Sequence, residues 1–211
     1  MAFKAGAGIT ILFGQSGSGK TTTLRAIAGI VTPDHGRISI GEEIYFDSAT
    51  GKNLSIQKRR VGYVFQDYAL FPHLTAEQNV AYGIKEESEK HRREKARAML
   101  ALFRIEHIAL RYPQNMSGGE QQRTALARAL ASDPAVVLLD EPLSAVDTET
   151  RSLLLDEIIL AQQRVSIPFI YVTHNTAEAI RLGQEVVVLK EGLVKETGSP
   201  AAVFDKPDDK R

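Results

Sequence analysis

Ile9-Thr10-Ile11-Leu12-Phe13-Gly14-Gln15-Ser16-Gly17-Ser18-Gly19-Lys20-Thr21 is the stretch that decides the fold. Ile9–Phe13 is a short apolar strand, and it runs straight into a glycine-rich turn. Thr21–Ile30 then reads as a helix, closed by Gly29 and the turn Thr32-Pro33-Asp34. Gly14 to Thr21 satisfies the pattern of a phosphate-binding loop in full. Its glycines let backbone N–H groups curl around phosphate oxygens. Lys20 brings a compact charge to the β- and γ-phosphates, and the Thr21 hydroxyl can ligate Mg²⁺. The candidate nucleotide-binding residues are therefore Gly14, Gln15, Ser16, Gly17, Ser18, Gly19, Lys20 and Thr21, with Thr22 adjoining them.

A second glycine pair lies far from the first loop, in Ser117-Gly118-Gly119-Glu120-Gln121. Ser-x-x-Glu ahead of a helix is a capping box, in which Ser117 satisfies a first-turn N–H and Glu120 reaches back. Capping alone does not call for two glycines, which weaken a first turn by roughly 1 kcal/mol each. Close backbone approach to a ligand does call for them. The start of a helix presents unpaired N–H groups and partial positive charge, so Ser117, Gly118 and Gly119 read as a second phosphate contact.

Ala135–Leu139 is an unbroken apolar run, as expected of a parallel strand buried on both faces. Asp140 closes that strand, where a carboxylate near a phosphate loop can hold a metal directly or through water. Glu141 follows it and is placed to orient or deprotonate an attacking water. The rest of the chain repeats the alternation. Strands are expected at Arg37–Ile40, Glu43–Phe46, Val61–Phe65 and Phe169–Thr173, with a hairpin of Val186–Leu189 and Leu193–Glu196 around Glu191-Gly192. Helices are expected at Glu120–Ala131, Thr148–Gln163 and Ala177–Leu182, and a charged helical insertion from Thr75 to about Ala109. The fold class is α/β: a phosphate-loop core with a mostly parallel sheet, an antiparallel β edge and a helical subdomain at about 75–115 within one domain.

The bulk composition excludes little but is consistent with this. The chain has 211 residues, 43% of them apolar, which is enough for one real core. Twenty-six basic residues balance 26 acidic ones, so no field points to nucleic acid or anionic lipid. There is no cysteine, hence no disulfide or thiolate metal site, which fits a reducing compartment. No apolar run approaches the roughly 20 residues that cross a bilayer, and Met1 begins no secretory signal, so a soluble, cytoplasmic chain is expected.

With these motifs in chain order, the sequence resembles the ATP-binding subunits of ATP-binding-cassette transporters over nearly its whole length. Gly14–Thr21 matches Walker A and Val136–Asp140 matches Walker B. Gln66 matches the Q-loop glutamine, Met116–Gln121 the signature, Ser144-Ala145-Val146-Asp147 the D-loop and His174 the switch histidine. Gln66 and His174 both follow apolar strands, where α/β sheets bind ligands. The resemblance implies ATP and Mg²⁺ as cofactors, with Thr21, Gln66 and Asp140 at the metal and Glu141, His174 and Gln66 catalytic. It implies a second copy of the chain as partner. Ser117, Gly118 and Gly119 of one copy would meet ATP held by the other, and Asp147 would communicate across the pair. It also implies membrane permease subunits, docked through the Tyr68–His73 region, and a place on the cytoplasmic face of the membrane.

Phe65-Gln66-Asp67-Tyr68-Ala69-Leu70-Phe71-Pro72-His73-Leu74-Thr75, with Arg59-Arg60-Val61-Gly62-Tyr63 before it, is most similar to importers of inorganic oxyanions such as molybdate. Three features depart from the family pattern. A first strand and an adenine-stacking aromatic residue that usually precede Ile9 are not matched, and Phe3 is the only aromatic nearby. Met116 and Glu120 stand where Leu and Gln are commonest, and the latter adds negative charge near the expected phosphate. The chain stops soon after Gly198-Ser199-Pro200, where many importer subunits continue into a regulatory domain, so none is expected here. Two relatives of the family are disfavoured. A chromosome-associated ATPase needs a long coiled-coil insertion before the signature, and a translation-associated one carries two cassettes. An importer of another small solute, or an ATP-sensing module with impaired hydrolysis, remains as the alternative.

Overall fold

The apolar run at the start becomes β1 (Ile9–Phe13), and the glycine-rich turn after it opens α1 (Lys20–Ala28). The structure is a computed structural model describing residues 1–85, 88–144, 146 and 148–205, with the side chains of Thr148 and Glu149 left aside. Asp147, the expected dimer-communication residue, lies outside the described residues. The helix α1 stops where Gly29 turns left-handed (φ 84°), its N–H returning to the last-turn carbonyls. Next come β2 (Arg37–Ile40), β3 (Glu43–Asp47) and the two-residue β4 (Lys52–Asn53).

The chain continues through β5 (Val61–Val64), α2 (Ala76–Ala81), α3 (Glu89–Leu102), α4 (Gly118–Ala131) and β6 (Val136–Asp140). It ends with α5 (Thr148–Val165), β7 (Phe169–Thr173), α6 (Thr176–Leu182), β8 (Glu185–Lys190), β9 (Leu193–Gly198) and α7 (Pro200–Phe204). These elements fall into two units: Met1–Arg59 together with Ile159 onward, and Arg60–Ile158.

In the first unit, β1 lies between β7 and β8 and is parallel to both, while β9 runs antiparallel to β8 as the edge. The strand β7 is buried along its whole length, which its continuous apolar sequence requires. A separate antiparallel sheet orders as β2-β3-β4. Arg59 ties that sheet to α1. Although only 5% exposed, its guanidinium has no carboxylate partner among the described residues and donates instead to oxygens of Ala26, Ile27, Leu54, Tyr45 and Asn53 at 2.7–3.4 Å. Burial lowers its pKa, opposed in part by Tyr45. The negative end of the α1 dipole compensates the charge.

In the second unit, β5 and β6 pair in parallel, Val61 opposite Val136 and Val64 opposite Leu139. The three helices α2, α3 and α4 pack on one another, and α4 also covers β5. The helical stretch expected from Thr75 to about Ala109 is interrupted. The helix α2 ends at Ala81, a turn follows at Tyr82-Gly83, and α3 begins only after Ser88. Gly83 is a poor helix residue and Ser88 a good starter, so the break follows from local chemistry.

Candidate functional site

In the first unit, the loop between β1 and α1 is built as a cradle. Gly17 and Gly19 hold left-handed φ values of 81° and 98°, which a side chain would strain. An added Cβ at Gly14 would come within 2.4 Å of the Leu189 carbonyl oxygen. The turn between β8 and β9 supports the loop from below, since the Gly192 N–H donates to the Ser18 carbonyl at 3.1 Å. Lys20 is 4% exposed and its Nζ donates to the Gly14 and Gln15 carbonyls at 2.7 and 3.0 Å. The Ser18 hydroxyl is buried with no partner among the described residues, and α1 starts without a side-chain cap. A glycine turn ahead of a helix N-terminus, a hydroxyl and a lysine are the donor set that phosphate oxygens satisfy.

His174 follows β7, and Phe13 lies opposite Thr173, so the phosphate loop and His174 emerge at the same edge of the same parallel pair. The strand end that presents His174 is locked by Glu178, which sequence reasoning did not single out. Its buried carboxylate accepts from the Tyr171 hydroxyl at 2.9 Å and the Thr173 hydroxyl at 2.8 Å. The Thr173 Oγ1 in turn accepts from the Asn175 N–H, and the Asn175 side chain caps α6. An acidic residue in the first turn of a short helix carries no sequence signal of that task.

In the second unit, Asp140 is buried at the end of β6, and the Tyr63 hydroxyl donates to its Oδ2 at 3.0 Å. Glu141 takes a left-handed backbone (φ 45°), a strained state for a side-chain-bearing residue that is retained at functional positions. Gln66 is exposed just past β5, on the same edge as Asp140 by the parallel register. Among the described residues no three His, Cys, Asp or Glu converge on a metal-sized site. A Mg²⁺ held by one carboxylate, a hydroxyl and phosphate oxygens needs no such cage.

The signature turn, also in the second unit, is a complete capping box. The Ser117 Oγ accepts from the Glu120 N–H at 3.3 Å, and Glu120 Oε2 accepts from the Ser117 N–H at 2.7 Å. Glu120 Oε1 lies 3.4 Å from His107 Nε2 and 3.6 Å from an Arg111 nitrogen. Burial pushes the Glu120 pKa up, but the Ser117 hydrogen bonds, Arg111 and His107 outweigh it and hold it below the usual carboxylate range. That stabilisation is present above the unfolded pKa and is lost as pH falls through the lowered folded value. An added Cβ at Gly118 would meet no described atom within 4 Å, and one at Gly119 would meet only the Thr150 methyl at 3.3 Å.

The Tyr68–His73 segment is rigidly built. Tyr68 and Ala69 have positive φ (61° and 43°), and Arg128 donates to both their carbonyls at 2.8 and 2.7 Å. Its guanidinium also covers the Phe71 ring at 5.5 Å, and burial lowers its pKa. Asn79 is fully buried and holds the Phe71 N–H and the carbonyls of Phe71, Leu74 and Thr75. Phe71 meets the Tyr82 ring at a tilt of 43°, centroids 4.4 Å apart, and Tyr82 is 68% exposed, leaving an apolar face at the surface. Asn79→Ala would orphan several buried groups, costing about 2–4 kcal/mol. A melting temperature lower by roughly 5–15 °C is expected in a thermal scan. An unchanged melting temperature would show that water replaces Asn79.

A glycine-rich loop between a parallel strand and a helix, with an acidic pair ending a buried strand, defines a phosphate-loop nucleotide-binding α/β protein. The sequence also matches the ABC transporter family over residues 1–144. The chain belongs to the ABC transporter family. It is 42% identical over 208 residues to the molybdenum import ATP-binding protein ModC of Rhodospirillum rubrum, covering 99% of this chain and 56% of that protein. It is also 42% identical over 203 residues to the sulfate/thiosulfate import ATP-binding protein CysA of Synechococcus elongatus, covering 94% of this chain and 57% of that protein. The chain thus spans just over half the length of these relatives. A dimeric post-hydrolysis structure of the ATP-binding cassette MJ0796 bound to ADP and Pi superposes with a TM-score of 0.78 at 29% identity, covering 94% of this chain and 88% of that one. No helix among the described residues is long and apolar enough to cross a membrane.

Proposed function

We propose that this chain is the ATP-hydrolysing subunit of an importer of an inorganic oxyanion, molybdate being the first candidate, and that it works as a pair. The observation that carries the reading is Gly118. Glycine at a helix start costs stability, and nothing described within 4 Å of that position requires it. The requirement then comes from outside the chain, as close backbone approach to a phosphate held by a second copy. Relatives named for molybdenum and for sulfate and thiosulfate are equally similar, which supports the oxyanion class more than one member of it.

In this reading the phosphates of ATP take the N–H groups of Gly14–Thr21, the Ser18 hydroxyl and Lys20. Thr21 and Asp140 would hold Mg²⁺, with Gln66 close to the metal or water, and the ion would supply neutralisation of the phosphate charge. Glu141 orients water and takes its proton as oxygen bonds to the γ-phosphorus and the bond to ADP breaks. His174 stabilises charge on the γ-phosphate oxygens. Ser117, Gly118 and Gly119 complete the shell from the other copy, so hydrolysis waits on closure. The rigid face of Leu70, Phe71 and Tyr82 suits a helix of a membrane permease subunit, which would place the chain at the cytoplasmic side of the membrane.

The test is phosphate release by the purified chain with Mg²⁺ and ATP, together with pull-down of its membrane partner. Turnover and capture of a permease subunit are the expected results. ATP binding without turnover would favour the ATP-sensing alternative instead.

A further inference from the structure

The Glu120 carboxylate stands behind the turn that is to receive a phosphate, where an uncompensated negative charge would oppose it. It is largely enclosed, its side chain only 16% exposed, so water screens it poorly. Two cationic or protonatable groups face it from the preceding segment, Arg111 at 3.6 Å and His107 at 3.4 Å. That segment is a fixed post rather than a loose loop. Ile105 and Ile108 anchor it with no exposure. The backbone N–H groups of Ala76 and Glu77, at the start of α2, donate to the Arg111 and Ala109 carbonyls, both at 2.9 Å. The Gln121 amide, on the next residue of α4, donates back to the Pro113 and Met116 carbonyls.

We infer that Arg111, assisted by His107, is a positioning residue for the signature turn: it neutralises Glu120 so that the Gly118 and Gly119 N–H groups and the Ser117 hydroxyl meet the phosphate without an opposing charge beside them. The inference rests on the functional reading above. It also explains how this chain carries Glu at a position where Gln is commonest. The carboxylate keeps the cap on Ser117, and the cation removes its cost to phosphate binding. Arg111 acts through Glu120 and touches no substrate.

A double-mutant cycle on ATP turnover separates this from a merely structural role. Arg111→Gln keeps much of the side-chain stem, and thermal melting checks that it folds. Its turnover at saturating ATP should fall about three- to tenfold with KM for ATP little changed, the scale of an incompletely screened charge interaction. The same change made in the Glu120→Gln background should cost under about twofold, because no charge is left to neutralise, and Arg111→Lys should retain most of the rate. An equal loss from Arg111→Gln in both backgrounds, or no loss in either, overturns the inference while leaving the functional reading in place. A wild-type chain without any turnover overturns the functional reading, and this inference falls with it.

Discussion

Glu141→Gln leaves ATP binding in place and lowers turnover by roughly 10²–10⁴-fold, the range that a positioned general base contributes. Glutamine has nearly the same shape and can occupy the same backbone state, so the left-handed φ of 45° is neither relieved nor worsened. What is lost is the capacity to accept a proton from water. Asp140 remains, with the Tyr63 hydroxyl on its Oδ2, so the proposed Mg²⁺ contact is left unaltered. Because the phosphate is not cleaved, ATP should accumulate in the closed state, and the variant should elute as a dimer with ATP and as a monomer without it. Phosphate release at saturating ATP and size-exclusion chromatography measure the two halves. Unchanged turnover removes Glu141 from catalysis. Loss of ATP binding with a normal melting temperature makes it a binding residue instead.

Much of the frame was legible in the sequence because the signals are local. The run Val136-Val137-Leu138-Leu139 is buried on both faces and reads as apolar without interruption, and Ile9–Phe13 runs into a loop that matches the phosphate-loop spacing in full. The strand bounds at Arg37–Ile40 fall where alternation puts them, and those at Phe169–Thr173 where a continuous buried run puts them. Elements whose stability comes from their surroundings were not legible. The strand β4 is Lys52-Asn53, two exposed polar residues made strand-like only by pairing with β3. The helix α7 is a single Ser-capped turn from Pro200, and Phe204 closes it with an edge-on contact to Phe13. The same holds at the candidate site. Lys20, Asp140 and Ser117 announce themselves by motif. Glu178 and Asn79 work through side-chain hydrogen bonds to groups four to eight residues back, and Arg128 through bonds to carbonyls 59 and 60 residues away, and no motif reports those.

Gly118→Asp should leave the fold and ATP binding to the single chain intact and abolish hydrolysis. At Gly119 the same change is less clean, since a Cβ there crowds the Thr150 methyl at 3.3 Å. Gly118 has open space, and an acidic residue in the first turn of α4 favours the helix by about 0.3–1 kcal/mol. The melting temperature should therefore stay level or rise slightly. A carboxylate brought to about 4 Å from a phosphate oxygen, at an effective dielectric near 20, opposes it by about 4 kcal/mol, close to a 10³-fold loss of closure. Gly118→Ala adds bulk without charge and should lose less, which separates electrostatic from steric opposition. If the phosphate that Gly118 meets is held by a second copy, nucleotide titration of Gly118→Asp should match wild type while phosphate release disappears. If the titration weakens in step with turnover, α4 serves the nucleotide of its own chain and the pair is not the unit of function. If both stay at wild-type levels, the glycine answers no phosphate at all.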